Sequence, residues 1–366
     1  MTNINPFNPS FGTQPMVKLA RQEKLNTFVQ DIKSVNTPYR TTLIYGTRGV
    51  GKTVFMNSVS QEIEKDSDWI TIHLIIGDHM VEQLIELLYQ KTTSKLKKLF
   101  KKLAGINLTI KGVNVSYRQQ VIPGNNYQYI LRKMLTILNQ HHRHVLVLID
   151  EAQPVHGLIE LASVYQVLMG ENLPISIIMT GLPKNVQELQ NHKVLTFLLR
   201  SGRVNLSPLN YYDIRAKYQT EFVKRDSNID PETLREMARL ADGYAYAFQL
   251  LGYLLWRSPD EHITTATIER ILPEYQAQLS RNAYSKMLEE LSPMDQQFVI
   301  AIANSNEYPV STAYLGKALH KKPGYIGMYR RRLIESQVVE SAGFGKLKFA
   351  LPLFREFIQQ DGQYLI

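Results

Sequence analysis

The chain has 366 residues, of which 44% are hydrophobic and 20% are charged, and none is a cysteine. This length predicts two or three domains, the apolar content excludes intrinsic disorder, and the lack of cysteine excludes disulfide frameworks, thiolate metal sites and thiol nucleophiles. The net charge of +9 is concentrated, because residues 87–149 contain eleven basic residues and no acidic one, and this concentration indicates an anionic partner.

The N-terminus is predicted to form an irregular arm of about fifteen residues, rich in proline, followed by helical spacing over 17–35. It lacks the basic start and the apolar stretch of a signal peptide. No apolar run reaches the ~18 residues that a membrane span requires, and the richest stretch, Ala245–Trp256, has the length of a buried helix. We therefore expect a cytoplasmic protein without a membrane span.

Short apolar runs alternate with helical patterns through the first half of the chain. The predicted strands are 41–45, 69–76, 145–149 and 175–179, and the helices between them include 53–64 and 80–89. Strands that are almost continuously apolar are typical of a parallel sheet covered on both faces. The fold class is therefore α/β, with an αβα core built on a parallel sheet.

A phosphate-binding loop follows the first predicted strand and opens the next helix. Its sequence fits G-x-x-x-x-G-K-[ST] in full, with the residues Gly46, Thr47, Arg48, Gly49, Val50, Gly51, Lys52 and Thr53. The glycines allow backbone N–H groups to surround phosphates, and the helix N-terminus adds its dipole. Lys52 is expected to reach the β- and γ-phosphates, and the Thr53 hydroxyl to bind Mg²⁺. The predicted ligand is ATP with Mg²⁺.

A lysine-rich segment at 94–103 places leucine and phenylalanine on one helical face with lysines around it. Three interpretations remain open: a helix that buries its apolar face in the core, a surface that follows DNA phosphates, or a helix lying on an anionic membrane. The hairpin pattern over 108–117, turning at Lys111-Gly112, suggests a basic insertion at about 91–125.

Two carboxylates follow the predicted strand 145–149. Asp150 is expected to hold the Mg²⁺, and Glu151 to polarise the attacking water; alone, such a pair could equally be a solvated strand end. Thr180 follows the next strand, where its hydroxyl could help to orient water or simply cap the following turn. We assign catalysis to Glu151 and Lys52, with Thr180 as a further candidate.

After residue 208 only helical patterns follow, until three helices and a glycine-hinged hairpin at 343–345 give the outline of a winged helix. The predicted domains are an arm and first helix over 1–37, a P-loop core over 38–208, a helical lid over 209–279 and a winged-helix domain over 284–366.

The predicted winged helix is basic. Residues 317–348 contain eight basic and two acidic residues, and the candidates for DNA contact are Arg330, Arg331, Arg332, Lys346 and Lys348. Consecutive helical residues are about 100° apart, so the three arginines cannot all face one groove. Winged helices also bind proteins, and a protein partner is the alternative to DNA.

With these motifs in place, the sequence resembles the AAA+ class of P-loop ATPases, and more closely those related to origin-recognition initiators and STAND signalling ATPases. The similar segments are the arm 5–21, the two phosphate-site motifs, and residues 197–203, 207–209 and 243–252. The resemblance implies that Thr180 is the sensor-1 position. It also implies that Arg200 or Arg203 is an arginine finger acting in a homo-oligomer; the alternative is a surface salt bridge for each.

The sequence departs from this class at two positions. Ala20-Arg21 stands where the arm usually has Gly-Arg, and Tyr246 stands where the lid usually has the sensor-2 arginine. The second departure favours a slow switch over a fast motor. We therefore predict an ATP-binding and ATP-hydrolysing switch that acts on or near DNA. The alternative is a nucleotide-binding, STAND-like scaffold whose winged helix binds protein partners.

Overall fold

The structure, a computed structural model, describes residues 4–10, 15–19, 21–34, 37–104, 106–109, 114–117, 127–225 and 229–361, with the backbone alone at 102–104, 106–109 and 114–117. The chain divides into two compact units. The first comprises Met1–Arg21, Gly46–Gly51 and Leu206–Ile366, and the second comprises Gln22–Tyr45 and Lys52–Asn205. Within the described ranges, no helix is both long enough and apolar enough to cross a membrane.

The second unit contains a parallel sheet and its flanking helices. Its helices are α1 (Gln22–Lys33), α2 (Lys52–Glu64), α3 (Met80–Lys91), α4 (Ser94–Ala104), α5 (Tyr127–Gln140), α6 (His156–Gly170) and α7 (Pro183–Asn191). Its strands are β1 (Thr41–Tyr45), β2 (Trp69–Leu74), β3 (Ile106–Thr109), β4 (Asn114–Tyr117), β5 (His144–Ile149), β6 (Ile175–Gly181) and β7 (Gly202–Asn205).

The main sheet has five strands in the order β2-β5-β6-β1-β7, and every neighbouring pair is parallel. All seven residues of β6 are buried, which requires that helices cover both faces of the sheet at its centre. The α/β fold and the four predicted strands are confirmed. The order places β6 between β5 and β1, so the segments after these three strands leave the same edge of the sheet.

The predicted insertion contains a helix and a separate two-stranded ribbon. Strands β3 and β4 pair antiparallel, from Ile106 with Tyr117 to Thr109 with Asn114. The predicted turn at Lys111-Gly112 lies outside the described residues, as does the basic residue Arg118.

The first unit contains the predicted lid and the C-terminal elements. The lid helices are α8 (Tyr211–Val223), α9 (Pro231–Ala241), α10 (Ala245–Trp256) and α11 (Thr265–Leu279). The later helices are α12 (Ser285–Glu289), α13 (Pro293–Ala303), α14 (Thr312–Ala318), α15 (Pro323–Glu335) and α16 (Phe354–Gln360), and the strands are β8 (Val310–Ser311), β9 (Val339–Ser341) and β10 (Lys346–Phe349).

The arm is anchored to α10, which is the buried helix that the sequence predicts. The side chain of Gln249 accepts a hydrogen bond from the Asn8 N–H at 3.0 Å and donates one to the Val17 carbonyl at 2.6 Å. Phe7 is 1% exposed, and a Cβ on Gly252 would lie 2.4 Å from its ring. The arm is therefore part of the lid's hydrophobic core, although it has no regular secondary structure in its described residues.

The C-terminal elements continue from the lid without a break in helical structure. A π-helix at Ser280–Tyr284 joins α11 to α12, and buried residues from the lid and the C-terminal helices form one hydrophobic cluster. Strands β8, β10 and β9 form a three-stranded antiparallel sheet beside α13, α14 and α15. The predicted order of three helices and a hairpin is observed, with β8 and α16 as additional elements.

Candidate nucleotide-binding site

The phosphate-binding loop, residues 46–51, leaves β1 and leads directly into α2. Gly49 and Gly51 have φ angles of 77° and 95°, in the left-handed region that favours glycine. A Cβ on Gly49 would also lie 2.3 Å from the Tyr244 hydroxyl oxygen. Left-handed residues in a tight turn help to line up successive backbone N–H groups in a concave row, which is an anion-binding geometry.

Three consecutive carbonyls of this loop accept hydrogen bonds from other residues of the first unit. The Arg48 carbonyl accepts from the Tyr244 hydroxyl at 2.7 Å, and the Gly49 carbonyl accepts from the Tyr246 N–H at 3.0 Å. The Val50 carbonyl accepts from the Arg21 guanidinium at 3.2 Å. In a trans peptide the C=O and the following N–H point in opposite directions. Fixing these carbonyls therefore fixes the direction of the N–H groups of residues 49–51.

Arg21 joins the arm to the loop. Its guanidinium donates to the Ser207 carbonyl at 2.6 Å as well as to Val50, and burial lowers its pKa to about 10. The side chain therefore stays charged at neutral pH. Its neighbour Ala20, the predicted departure from the family pattern, lies outside the described residues. The sequence did not identify Arg21 or Tyr244 as loop contacts, although both lie in segments that carry the family resemblance.

The second unit brings together the side chains expected to bind Mg²⁺. Lys52 begins α2, and the hydroxyl of Thr53 donates to Asp150 Oδ2 at 2.6 Å. A hydroxyl and a carboxylate are hard oxygen ligands of the kind that Mg²⁺ prefers. The donor set at these two residues therefore fits the predicted metal ion.

Thr180 connects the two acidic residues. It is fully buried, its hydroxyl donates to Asp150 Oδ1, and its own Oγ1 accepts a hydrogen bond from the Glu151 N–H at 3.3 Å. The N-cap of the following helix is Leu182, so Thr180 does not cap α7. Thr180 thus holds the Asp150 carboxylate and the Glu151 backbone by hydrogen bonds, while the Glu151 side chain is exposed.

The two candidate arginine fingers lie close together in the chain and are both exposed. Arg200 ends a short 3₁₀ helix, Thr196–Arg200, and Arg203 lies on the edge strand β7. Neither has an ion-pair partner among the residues that the structure describes.

The basic C-terminal residues differ in their surroundings. Arg332 binds both oxygens of the buried Asp295, at 2.9 and 2.6 Å, and its guanidinium lies 4.5 Å from the centre of the Tyr329 ring. Lys348 pairs with Glu340 at 2.7 Å. Both bases are therefore paired with carboxylates, and DNA contact by them stays a prediction.

The other three candidates form no ion pair within the described part of the chain. Arg331 and Lys346 are exposed, and Arg330 is half-buried with its guanidinium 3.3 Å from the Ser341 hydroxyl. The exposed face of α15 is mixed in character. It is lined by Gly324, Gly327, Met328, Arg330, Arg331, Ile334 and Glu335.

The lysine-rich helix α4 uses its apolar face within the second unit. Leu96 and Phe100 are buried in the hydrophobic core, whereas Lys95, Lys98 and Lys101 are exposed. The side chain of Leu103, also on the predicted apolar face, lies outside the described residues. Burial of this face removes the apolar surface that binding to a membrane would need, but leaves the lysines accessible.

Comparisons with known proteins agree with this fold. Residues 37–190 match the AAA domain family, and residues 281–358 match a domain of unknown function, DUF8462. No curated protein sequence matches the chain. Similar solved structures include the Walker-type ATPase PABY2304 of Pyrococcus abyssi, at 17% identity and a TM-score of 0.62, covering 93% of this chain and 96% of that one.

The Aeropyrum pernix ORC2 protein, in its ADPNP–ADP complexes, has 12% identity and a TM-score of 0.57, covering 97% of both chains. At these identities the similarity concerns the fold alone. Three features of this chain agree with that similarity: the parallel sheet, the loop between β1 and α2, and the acidic residues after β5. The chain therefore has a P-loop NTPase fold, and its residues 37–190 are similar to the AAA domain.

Proposed function

We propose that this protein is a Mg²⁺-dependent ATPase of the AAA+ type. The observation that carries the proposal is the hydrogen bond from the Thr53 hydroxyl to Asp150, at 2.6 Å. Thr53 is the last residue of the phosphate-binding sequence motif. The contacts that fix the loop carbonyls support it, because a loop with fixed N–H directions binds phosphate without having to be ordered first.

Each residue has a role in the proposed reaction. Thr53 and Asp150 would hold Mg²⁺, which neutralises charge on the phosphates when bound, and Lys52 would contact the β- and γ-phosphates. Glu151 would accept a proton from the attacking water. Thr180 would keep Asp150 and the Glu151 backbone in place. ORC2 of Aeropyrum pernix, which is similar in fold, is described in complexes with ADPNP and ADP, and this supports nucleotide as the ligand.

Two features bear on turnover. Tyr246 occupies the expected sensor-2 position, and its hydroxyl accepts from the Asn282 side chain at 2.9 Å. A neutral phenol cannot supply the charge of an arginine, and so we propose a slow switch. The exposed Arg200 and Arg203 could complete the site of a neighbouring copy, which would make hydrolysis dependent on protein concentration. The proposed domains are an arm and first helix over 1–37, an ATPase core over 38–208, a helical lid over 209–279 and a winged helix over 284–366.

The test is hydrolysis of ATP by the purified protein over a range of protein concentrations, with Mg²⁺ and with EDTA. We expect slow release of phosphate that requires Mg²⁺ and rises more than linearly with protein concentration. Binding of ATP without any release of phosphate would support the alternative of a nucleotide-binding scaffold.

A second proposal is that the C-terminal domain is a winged helix that binds DNA. The observation in its favour is that Arg331 and Lys346 are exposed and have no ion-pair partner within the described ranges. Phe344, fully exposed at the tip of the hairpin, and Met328, 43% exposed on α15, favour a protein partner instead. The DNA test therefore also decides between these two partners.

Replacement of Arg331 by alanine should weaken DNA binding. One lost phosphate contact should weaken binding to all sequences alike and reduce the salt slope by about one, whereas a lost base contact should reduce discrimination between sequences. The measurement is fluorescence anisotropy across a salt series. Arg239→Ala, which removes an exposed arginine from α9 in the lid, is the matched control.

Unchanged DNA affinity in Arg331→Ala and in Lys346→Ala would contradict DNA binding by this surface. A wild-type protein that shows no salt-dependent DNA affinity would support the protein-binding scaffold.

A further inference from the structure

The C-terminal domain contacts the phosphate-binding loop through a glutamine. Gln337 Oε1 accepts a hydrogen bond from the Thr47 N–H at 2.9 Å, and a Cβ on Gly46 would lie 3.2 Å from the same oxygen. The amide nitrogen of Gln337 lies 3.5 Å from the Leu206 carbonyl. The Gln337 side chain thus contacts the first residues of the loop and also Leu206, in the segment that connects β7 to the lid.

The local backbone sets the direction of this side chain. Gln337 follows α15 in the left-handed region, with φ of 59°, and its N–H donates to the Ile334 carbonyl at 2.9 Å. This is the single-residue reversal that commonly ends a helix, usually with glycine. This conformation is less favourable for glutamine than for glycine, and in it the side-chain amide of Gln337 lies against the loop.

A second contact joins the same domain to the next residue of the loop. The Arg48 guanidinium lies 3.0 Å from Glu290 Oε1, and both side chains are about one-third exposed, at 37% and 32%. Glu290 ends α12, where its N–H donates to the Lys286 carbonyl. Both Glu290 and Gln337 lie within residues 281–358, the segment that matches a domain of unknown function.

The C-terminal domain and the lid pack against each other at Tyr284. Tyr284, in the π-helix between them, is buried, its hydroxyl donates to the Pro352 carbonyl, and its ring stacks 6.4 Å from that of Tyr244. Tyr244 in turn binds the Arg48 carbonyl. A displacement of the C-terminal domain would therefore disturb the loop through Gln337, Glu290 and the Tyr244–Tyr284 pair together.

We propose that the C-terminal domain orders the phosphate-binding loop, with Gln337 and Glu290 as positioning residues, and that nucleotide affinity therefore depends on the position of this domain. The proposal rests on the proposed ATP-binding function. The loop contacts pre-organise the N–H groups that receive phosphate, and pre-organisation lowers the entropic cost of binding. Because coupling between two equilibria is reciprocal, bound nucleotide also stabilises the docked position of the domain.

The test is the dissociation constant for ATP with Mg²⁺, measured by titration of the full chain. Gln337→Ala should raise it about threefold to tenfold, because one hydrogen bond to the loop is lost. Glu290→Gln should raise it at most about fivefold, as expected for a partly exposed ion pair. Alanine and glutamine make similar demands at positive φ, so Gln337→Ala should not add backbone strain.

The matched control is Gln359→Ala. Gln359 lies on α16 of the same domain, and its side chain donates to the carbonyl of Ala303, the last residue of α13, at 2.7 Å. The melting temperature without nucleotide separates positioning from general stability. We expect Gln337→Ala to melt within the range of this control and to bind ATP more weakly. Gln337→Met, which keeps most of the side-chain volume, should show the same loss of affinity.

Equal ATP affinity in Gln337→Ala and Gln359→Ala would overturn the inference and leave ATP binding intact. Tighter binding in Gln337→Ala would also overturn it, since the contact would then compete with nucleotide. A wild-type chain that does not bind ATP would overturn the proposed function and the inference with it.

Discussion

Glu151→Gln should hydrolyse ATP at least about 100-fold more slowly than the wild type and still bind it, because a general base typically contributes about 10²–10⁴-fold to rate. The substitution keeps the size of the side chain and removes its ability to accept a proton. Among the described residues of its unit, Thr180 and Asp150 bond the backbone N–H of Glu151 and not its side chain. The measurement is single-turnover release of phosphate, with ATP binding measured in parallel.

The control for this prediction is Glu171→Gln. Glu171 follows α6 and pairs with Arg132 at 2.7 Å, so the same chemical change occurs in the same unit but away from the acidic pair. We expect wild-type rates for it. A Glu151→Gln protein that hydrolyses ATP at the wild-type rate would remove Glu151 from the reaction. One that no longer binds ATP would assign it to binding.

Lys52→Ala should weaken ATP binding about tenfold to a hundredfold. A charge-assisted contact contributes roughly 1.5–3 kcal/mol, and the alanine side chain cannot reach the phosphates. The measurement is calorimetric titration with ATP and Mg²⁺. The control is Lys65→Ala, which removes a lysine just after α2 that pairs with Glu62 at the surface. Equal affinity in Lys52→Ala and the control would contradict the assignment of the loop.

Three of the four strands predicted for the main sheet are buried on both faces. Strands β1, β5 and β6 are almost entirely buried, so their sequences are mostly apolar. The fourth, β2, is an edge strand, but four of its six residues are buried. The edge strand β7 was missed, because its four residues alternate between buried and exposed and resemble a loop in sequence. Strand β8 has two residues, which is too short for any periodic pattern.

The part of the site that is local in sequence could be predicted, and the part that depends on distant contacts could not. The loop motif and the acidic residues after β5 are contiguous segments with known chemistry. The contacts of Arg21, Tyr244 and Gln337 with the loop join positions separated by 29, 196 and 290 residues. No spacing rule connects such positions, so only the folded chain identifies them.

The arginine run on α15 shows the same limit. Helical geometry required that Arg330, Arg331 and Arg332 point in different directions. Helical geometry did not indicate which of the three arginines would pair with a carboxylate of the same domain. Arg332 is held because Asp295, far away in the sequence, supplies a buried carboxylate. This leaves Arg331 as the member that is exposed and forms no ion pair within the described ranges.

The central claim is that residues 46–53 bind the phosphates of ATP. The most direct test is hydrogen–deuterium exchange of the wild-type chain with and without saturating ATP and Mg²⁺. Bound phosphate should accept hydrogen bonds from the loop amides, so the account predicts slower exchange at residues 46–53, with a smaller change at 150–151. Unchanged exchange at 46–53, in a protein that is saturated with ATP or that fails to bind it, would contradict the claim.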